Sequence, residues 1–205
     1  MRIQELGTNI RTYLSAPKRV RPAFRTPGMI GVPEALMLFE LARQTADGCI
    51  VEIGSYRGRS AIALSLGTTA GRDLPVYAIE PHDTFTGIFG GNFGPQDRAA
   101  FYRGMLRSGC YRNVRLLNAS SDVLGPGWNK QVGLLWIDGD HSAEAVRRDF
   151  ANFEPHMISG AVVVFDDSRR PDSPPTALVD QLVRSGIYAV EQQAGGATAL
   201  RRVIG

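Results

Sequence analysis

Five short apolar runs punctuate the chain, at residues 49–53, 75–79, 114–117, 132–137 and 161–165. Each is apolar on successive residues rather than alternating, the pattern of strands buried on both faces of a parallel sheet. Between and before them lie segments of helical character. Residues 33–46 begin with Pro33 at a first helical position, carry Glu34 in the first turn and stop before Gly48. Residues 60–66 read as a second helix and 142–153 as a third. In the third, Ser142 can cap, Val146, Phe150 and Phe153 share a face, and Glu144 and Arg148 form an i,i+4 pair. Residues 187–191 and 197–203 flank Gln-Gln-Ala-Gly-Gly and predict an antiparallel hairpin at the sheet edge. The pattern predicts an open α/β sheet, mostly parallel, with helices on both faces. Ligands of such sheets bind beyond the carboxyl ends of the strands.

Composition narrows the class. With 205 residues, 43% hydrophobic and 21% charged, the chain suits one packed domain. No apolar run approaches the roughly 20 residues of a membrane span, and the first residues hold no signal-peptide block. Cys49 and Cys110 have no framework or metal spacing, which predicts free thiols in the cytoplasm. Charge is uneven. Residues 1–30 hold Arg2, Arg11, Lys18, Arg19, Arg21 and Arg25 against Glu5, whereas the rest of the chain carries 17 bases and 19 acids. The expected organisation is a basic N-terminal arm, 1–32, ahead of a catalytic domain, 33–205. Such an arm can grip phosphates or pack on a neighbouring subunit of a homo-oligomer. No aromatic-basic stripe accompanies it, which argues against nucleic acid.

The strand ends hold the candidate chemistry. The first ends in VEIGSYRGRS at 51–60, where Gly54 and Gly58 allow a tight turn. Their G-x-x-x-G spacing differs from the G-x-G-x-x-G that seats a pyrophosphate, which counts against a nicotinamide-dependent oxidoreductase. Glu52 sits inside that strand end, where it would repel a phosphate and welcome an ammonium. Glu80 tips the second strand, placed for the hydroxyls of a ribose. Alone, each feature reads equally as a βα turn or a solvated acid. Together they describe a nucleoside with an amino group and no pyrophosphate, as in S-adenosylmethionine.

A second constellation follows. Asp138 ends the fourth strand, and Asp166 and Asp167 end the fifth, 28 residues later. Adjacent strands lie about 5 Å apart, so these acids converge and call for a cation. Mg²⁺ or Mn²⁺, with oxygen ligands and positions left for substrate, suits them. The plain alternative is that Asp140 or Asp167 only caps a turn. His141 lies three residues past Asp138 and is the expected general base, alongside Asp138. His82 either packs near the adenine or opens a loop, and His156 is structural.

The run LWIDGDHSAEAVRRDF at 135–150, followed by GAVVVFDD at 160–167, resembles the class I methyltransferases. It is most similar to the small O-methyltransferases with an IDGDH motif, among them macrolide-sugar O-methyltransferases and cephalosporin-hydroxylase-like proteins. The resemblance runs from about Pro33 to the C-terminus. It implies a Rossmann-like sheet of seven strands with one reversed, S-adenosylmethionine as methyl donor and, in many members, Mg²⁺. It further implies that Glu52 and Gly54 face the methionine part of the donor and Ser60 its carboxylate. Glu80 would hold the ribose, Ala119 and Ser120 would lie near the adenine, and Ser55, Gly58, His82 and Asp138 would complete the cofactor side. The expected reaction is O-methylation of a small-molecule hydroxyl, best a sugar or glycoside, with a metal-independent methyltransferase as the alternative. Residues 83–97, where Phe85, Phe89 and Phe93 alternate with glycines, read either as a mobile lid or as a connector with buried aromatics.

Overall fold

A computed structural model describes residues 13–86 and 92–203. Its strands are β1 (Cys49–Ile53), β2 (Val76–Ile79), β3 (Phe85–Thr86), β4 (Asn92–Phe93), β5 (Val114–Leu117), β6 (Val132–Ile137), β7 (Met157–Phe165), β8 (Tyr188–Ala194) and β9 (Ala197–Arg202). The α-helices are α1 (Val32–Gln44), α2 (Arg59–Thr69), α3 (Pro95–Ser108), α4 (Ser121–Leu124), α5 (Ala143–Phe153) and α6 (Pro174–Arg184). Seven strands form one sheet in the order β5-β2-β1-β6-β7-β9-β8. Only β9 is antiparallel to its neighbours, so six strands run one way and β9 the other. This is the expected Rossmann-like sheet, hairpin included.

Burial explains why the central strands read as unbroken apolar runs. All five residues of β1 and all six of β6 are buried. One core packs the face carrying Ile50, Leu134, Trp136 and Val164; a second packs the face carrying Val51, Leu135, Val163 and Phe165. The register then aligns the strand ends. The amide of Gly54 donates to Ile79 O, that of Asp138 to Ile53 O, that of Asp166 to Ile137 O, and that of Glu80 to Leu117 O. Four separate segments are thereby fixed in one row by sheet hydrogen bonds.

The sequence reading left the roles of two segments open. Residues 13–30 are not a free extension: Ala16, Val20, Ala23, Phe24 and Ile30 are buried in the first core. The Arg59 guanidinium, itself buried, donates to Thr26 O and Ile30 O and stacks on Phe24. In the glycine-rich stretch, β3 and β4 pair antiparallel with Phe85 opposite Phe93, while residues 87–91, Phe89 among them, lie outside the described residues. The described residues include no helix long and apolar enough to cross a membrane.

Candidate active site

A cavity of about 460 Å³ opens over the aligned strand ends. Of the residues singled out by sequence, Gly54, Ser55, Ser60, Glu80, Ser120, Asp138, His141, Asp166 and Asp167 line it; Glu52, Gly58, His82 and Ala119 do not. Gly54 has φ +86°, and a Cβ there would lie 2.1 Å from Asp138 O. The turn after β1 is thus pressed against the end of β6, a contact closed to any side chain.

Glu52 lies beneath that turn, fully buried. Its Oε2 accepts from Ser55 Oγ at 2.7 Å, and Oε1 has no hydrogen-bond partner among the described residues. Burial pushes its carboxyl up to about 7, opposed by hydrogen bonds from Ser60 and Ser55 and reinforced by the charge of Glu80. Glu80 accepts backbone hydrogen bonds from Tyr56 at 2.9 Å and His82 at 3.0 Å. His82 completes a clasp: its Nε2 lies 2.7 Å from Tyr56 O, and its buried ring meets Phe101 edge-on. Both Tyr56 and His82 have positive φ, 47° and 54°. His82 therefore ties the first two strand-end loops together and does not reach the cavity.

Beside these loops, Asp138, His141 and Asp166 bring one ligand atom each within 4.8 Å of one another. Burial raises the Asp138 carboxyl well above the usual range, with Asp166 hydrogen-bonded to it. Burial first, and then the charges of Asp138 and Asp167, raise Asp166 to about 8. Two crowded acids that resist ionising together fit a divalent cation, which would replace the proton between them. The fit differs from the predicted triad. Asp167, at φ 48°, turns its Oδ2 to His141 Nδ1 at 3.2 Å and its Oδ1 to Arg170 Nε at 3.1 Å. His141 Nε2 lies 3.5 Å from Asp138 Oδ1. Asp140 accepts from Ser142 N at 3.2 Å, fixing the entry to α5. The imidazole is thus held between two carboxylates.

Sequence reasoning passed over the far end of the cavity. There Asp149 accepts from Ser121 Oγ, and Asn152 Nδ2 donates to Ser121 O. Burial raises Asp149 to about 6, against the hydrogen bond from Ser121. The signal was present in the sequence: Asp149 falls beside Val146 and Phe153 on the apolar side of α5, where an acid needs a reason. At the mouth, Phe93 packs on Tyr56 and Phe85, with ring centroids 5.1 Å and 5.7 Å apart.

A methyltransferase-domain family matches residues 51–168, more than half of the chain. Solved structures share the fold. The O-methyltransferase NovP superposes with a TM-score of 0.66 at 17% identity, over 86% of this chain and 82% of that one. TomG from Streptomyces achromogenes, an O-methyltransferase involved in tomaymycin synthesis and solved with SAM, gives 0.65 at 18% identity over the whole of both chains. An O-methyltransferase from Bacillus cereus, solved with SAH, gives 0.63 at 13% identity over 100% of this chain and 92% of that one.

Proposed function

This chain belongs to the methyltransferase-domain family, and we propose that it moves the methyl group of S-adenosylmethionine to a hydroxyl of a small molecule, assisted by Mg²⁺ or Mn²⁺. The observation that carries the reading is the convergence of Asp138, His141 and Asp166 in the same cavity as the Gly54 turn and Glu80. Ser60 and Gly54 would receive the amino-acid part of the donor, Glu80 its ribose and Ser120 its adenine. Asp138 and Asp166 would hold the cation. A bound divalent ion supplies Lewis-acid stabilisation of a developing alkoxide and a template for acceptor oxygens.

The chain's own residues carry the proton. Asp167 Oδ2 lies 3.2 Å from His141 Nδ1, which suits the neutral tautomer protonated at Nδ1 and leaves Nε2 as the basic nitrogen. Nε2 takes the hydroxyl proton as the acceptor oxygen bonds to the methyl carbon. The methyl–sulfur bond breaks, its electron pair stays on sulfur, and the sulfonium becomes a neutral thioether. The proton then passes from His141 to solvent. A sugar or glycoside is the acceptor class we favour, because the aromatic residues Tyr56, Phe85 and Phe93 line the cavity together with Asp138, Asp166 and Asp167.

Thermal-shift measurements with S-adenosylhomocysteine, NAD and Mg²⁺, followed by methyl-transfer assays on sugar acceptors, test this reading. Stabilisation by S-adenosylhomocysteine and not by NAD is expected, with turnover abolished by EDTA. Stabilisation by NAD alone would overturn it. A second reading, metal-independent transfer, draws on the His141–Asp167 pair, which can serve as a base without a cation. Turnover undiminished in EDTA would select it.

A further inference from the structure

Between Arg98 and Arg115 the chain carries five arginines, Arg98, Arg103, Arg107, Arg112 and Arg115, and no acid or lysine. All five are exposed, and among the described residues none of them forms an ion pair with a carboxylate. The nearby acids are engaged elsewhere: Asp97 is buried against Arg57, and Asp73 accepts from Asn113 and Thr69. Apolar groups are interleaved with the charge. Tyr102, Leu106 and Tyr111 are 52%, 66% and 50% exposed.

The 3.6-residue repeat of α3 sets Arg98, Tyr102 and Leu106 in one solvent row and Arg103 and Arg107 in the next, while Phe101, Gly104 and Met105 are buried on the opposite side. The face continues past the helix. The Arg112 guanidinium lies over the Tyr111 ring, Arg115 on the edge strand β5 donates to Arg112 O at 2.9 Å, and Arg98 donates to Asn118 at the end of β5.

We propose that this face, built from α3, the following turn and β5, docks the protein on an anionic lipid membrane. A second copy of the chain is disfavoured as the occupant, since a two-fold contact would set arginines against arginines. A nucleic-acid strand would use the arginines and tyrosines but leave Leu106 without a role. A bilayer surface engages every group: guanidinium forks on lipid phosphates, tyrosines at headgroup depth, and Leu106 in the acyl boundary. The surface also reaches the cavity. Asn118, the partner of Arg98, donates to Glu80 O and Pro81 O, and both residues line the cavity. Docking would hold the cavity mouth beside the membrane, within reach of a lipid-borne acceptor.

Flotation with phosphatidylcholine vesicles, with and without about 30% phosphatidylglycerol, tests the proposal in about 0.1 M salt. Association only with the anionic vesicles is expected. It should weaken at least about tenfold in Arg103→Glu/Arg107→Glu and also in Leu106→Ser, with the thermal shift by S-adenosylhomocysteine unchanged as the check on folding. Leu106→Trp should show a blue-shifted emission on the same vesicles. The proposal fails if anionic vesicles do not bind, or if Leu106→Ser binds as well as the parent and Leu106→Trp shows no blue shift. It also fails if a single-stranded oligonucleotide at equal phosphate concentration binds more tightly than the vesicles, which would reassign the face to nucleic acid.

Discussion

His141 is placed by its two neighbours rather than by its own loop. Asp167 reaches it across from the end of β7 at 3.2 Å, and Asp138 faces the other ring nitrogen at 3.5 Å. As the general base proposed above, His141 would act in the chemical step. His141→Ala is therefore expected to lower the single-turnover methyl-transfer rate by about 10²–10⁴-fold while S-adenosylhomocysteine affinity stays at the parent level. Near-parental turnover would pass the role to Asp138. Glu52 carries a different prediction, read in stability. Its folded-state carboxyl titrates near 7 instead of the ordinary 4.5, so the folded protein holds a proton that the unfolded chain has released. Stability contributed by the protonated form is intact below about pH 4.5 and declines as pH rises to about 7. Two and a half pH units correspond to about 3 kcal/mol. Glu52→Gln keeps an acceptor for Ser55 and cannot ionise. Urea unfolding at pH 5 and pH 8 is expected to show a smaller loss of stability in this variant than in the parent, by up to about 3 kcal/mol. Equal losses would mean that Glu52 does not titrate in this window. The remaining decline comes from Asp138, Asp149 and Asp166, which are raised in the same direction.

At the scale of elements, the strand ends are useful because neighbouring strands stop in register. Gly54 makes that possible where the turn after β1 meets the end of β6. Gly54→Ala would set a Cβ on the Asp138 carbonyl and force a side chain into positive φ, so a loss on the order of 3 kcal/mol or more is expected, measured by urea midpoint. A fully stable Gly54→Ala with donor affinity unchanged would show that the turn can move away. The same elements show what a sequence can disclose. The buried central strands announced themselves because both faces are apolar, and the acids at their tips followed from strand length alone. β7 was read short, at 161–165 rather than Met157–Phe165, because Ser159 and Gly160 at its start are exposed. Helix α3 left little trace: its large buried apolar side chains are Phe101 and Met105 alone, and its solvent rows mix Arg98, Arg103 and Arg107 with Tyr102 and Leu106. Asp149 was passed over because its partner, Ser121, comes from another element, α4. The role of His82 was likewise invisible, since its acceptor, Tyr56 O, lies 26 residues away on the chain.

For the whole molecule, the question is where the folding unit begins. Charge asymmetry marks residues 1–32 off from the rest, yet over the described residues 13–32 charge sits on the outside of a segment whose inside is apolar. Arg19 pairs with Glu40 at 3.4 Å, and Arg21 donates to Ala16 O, while Val20, Phe24 and Ile30 point into the core. Each of those three large side chains is worth about 1.5–3 kcal/mol on burial. Their sum is comparable with the whole 5–15 kcal/mol stability of an ordinary domain. Arg59 adds to the dependence. Its guanidinium is buried deeply enough to be pulled down to about 10, and its acceptors include Thr26 O and Ile30 O. Without residues 26–30 a desolvated cation at the start of α2, next to the Gly54 turn, would lose both carbonyls. A protein starting at residue 33 is therefore expected to lose the cooperative urea unfolding, the near-ultraviolet dichroism and the response to S-adenosylhomocysteine of the full chain. If the shorter protein unfolds cooperatively at the parental midpoint, the segment is an appendage after all and Phe24 and Ile30 contribute nothing that the core requires.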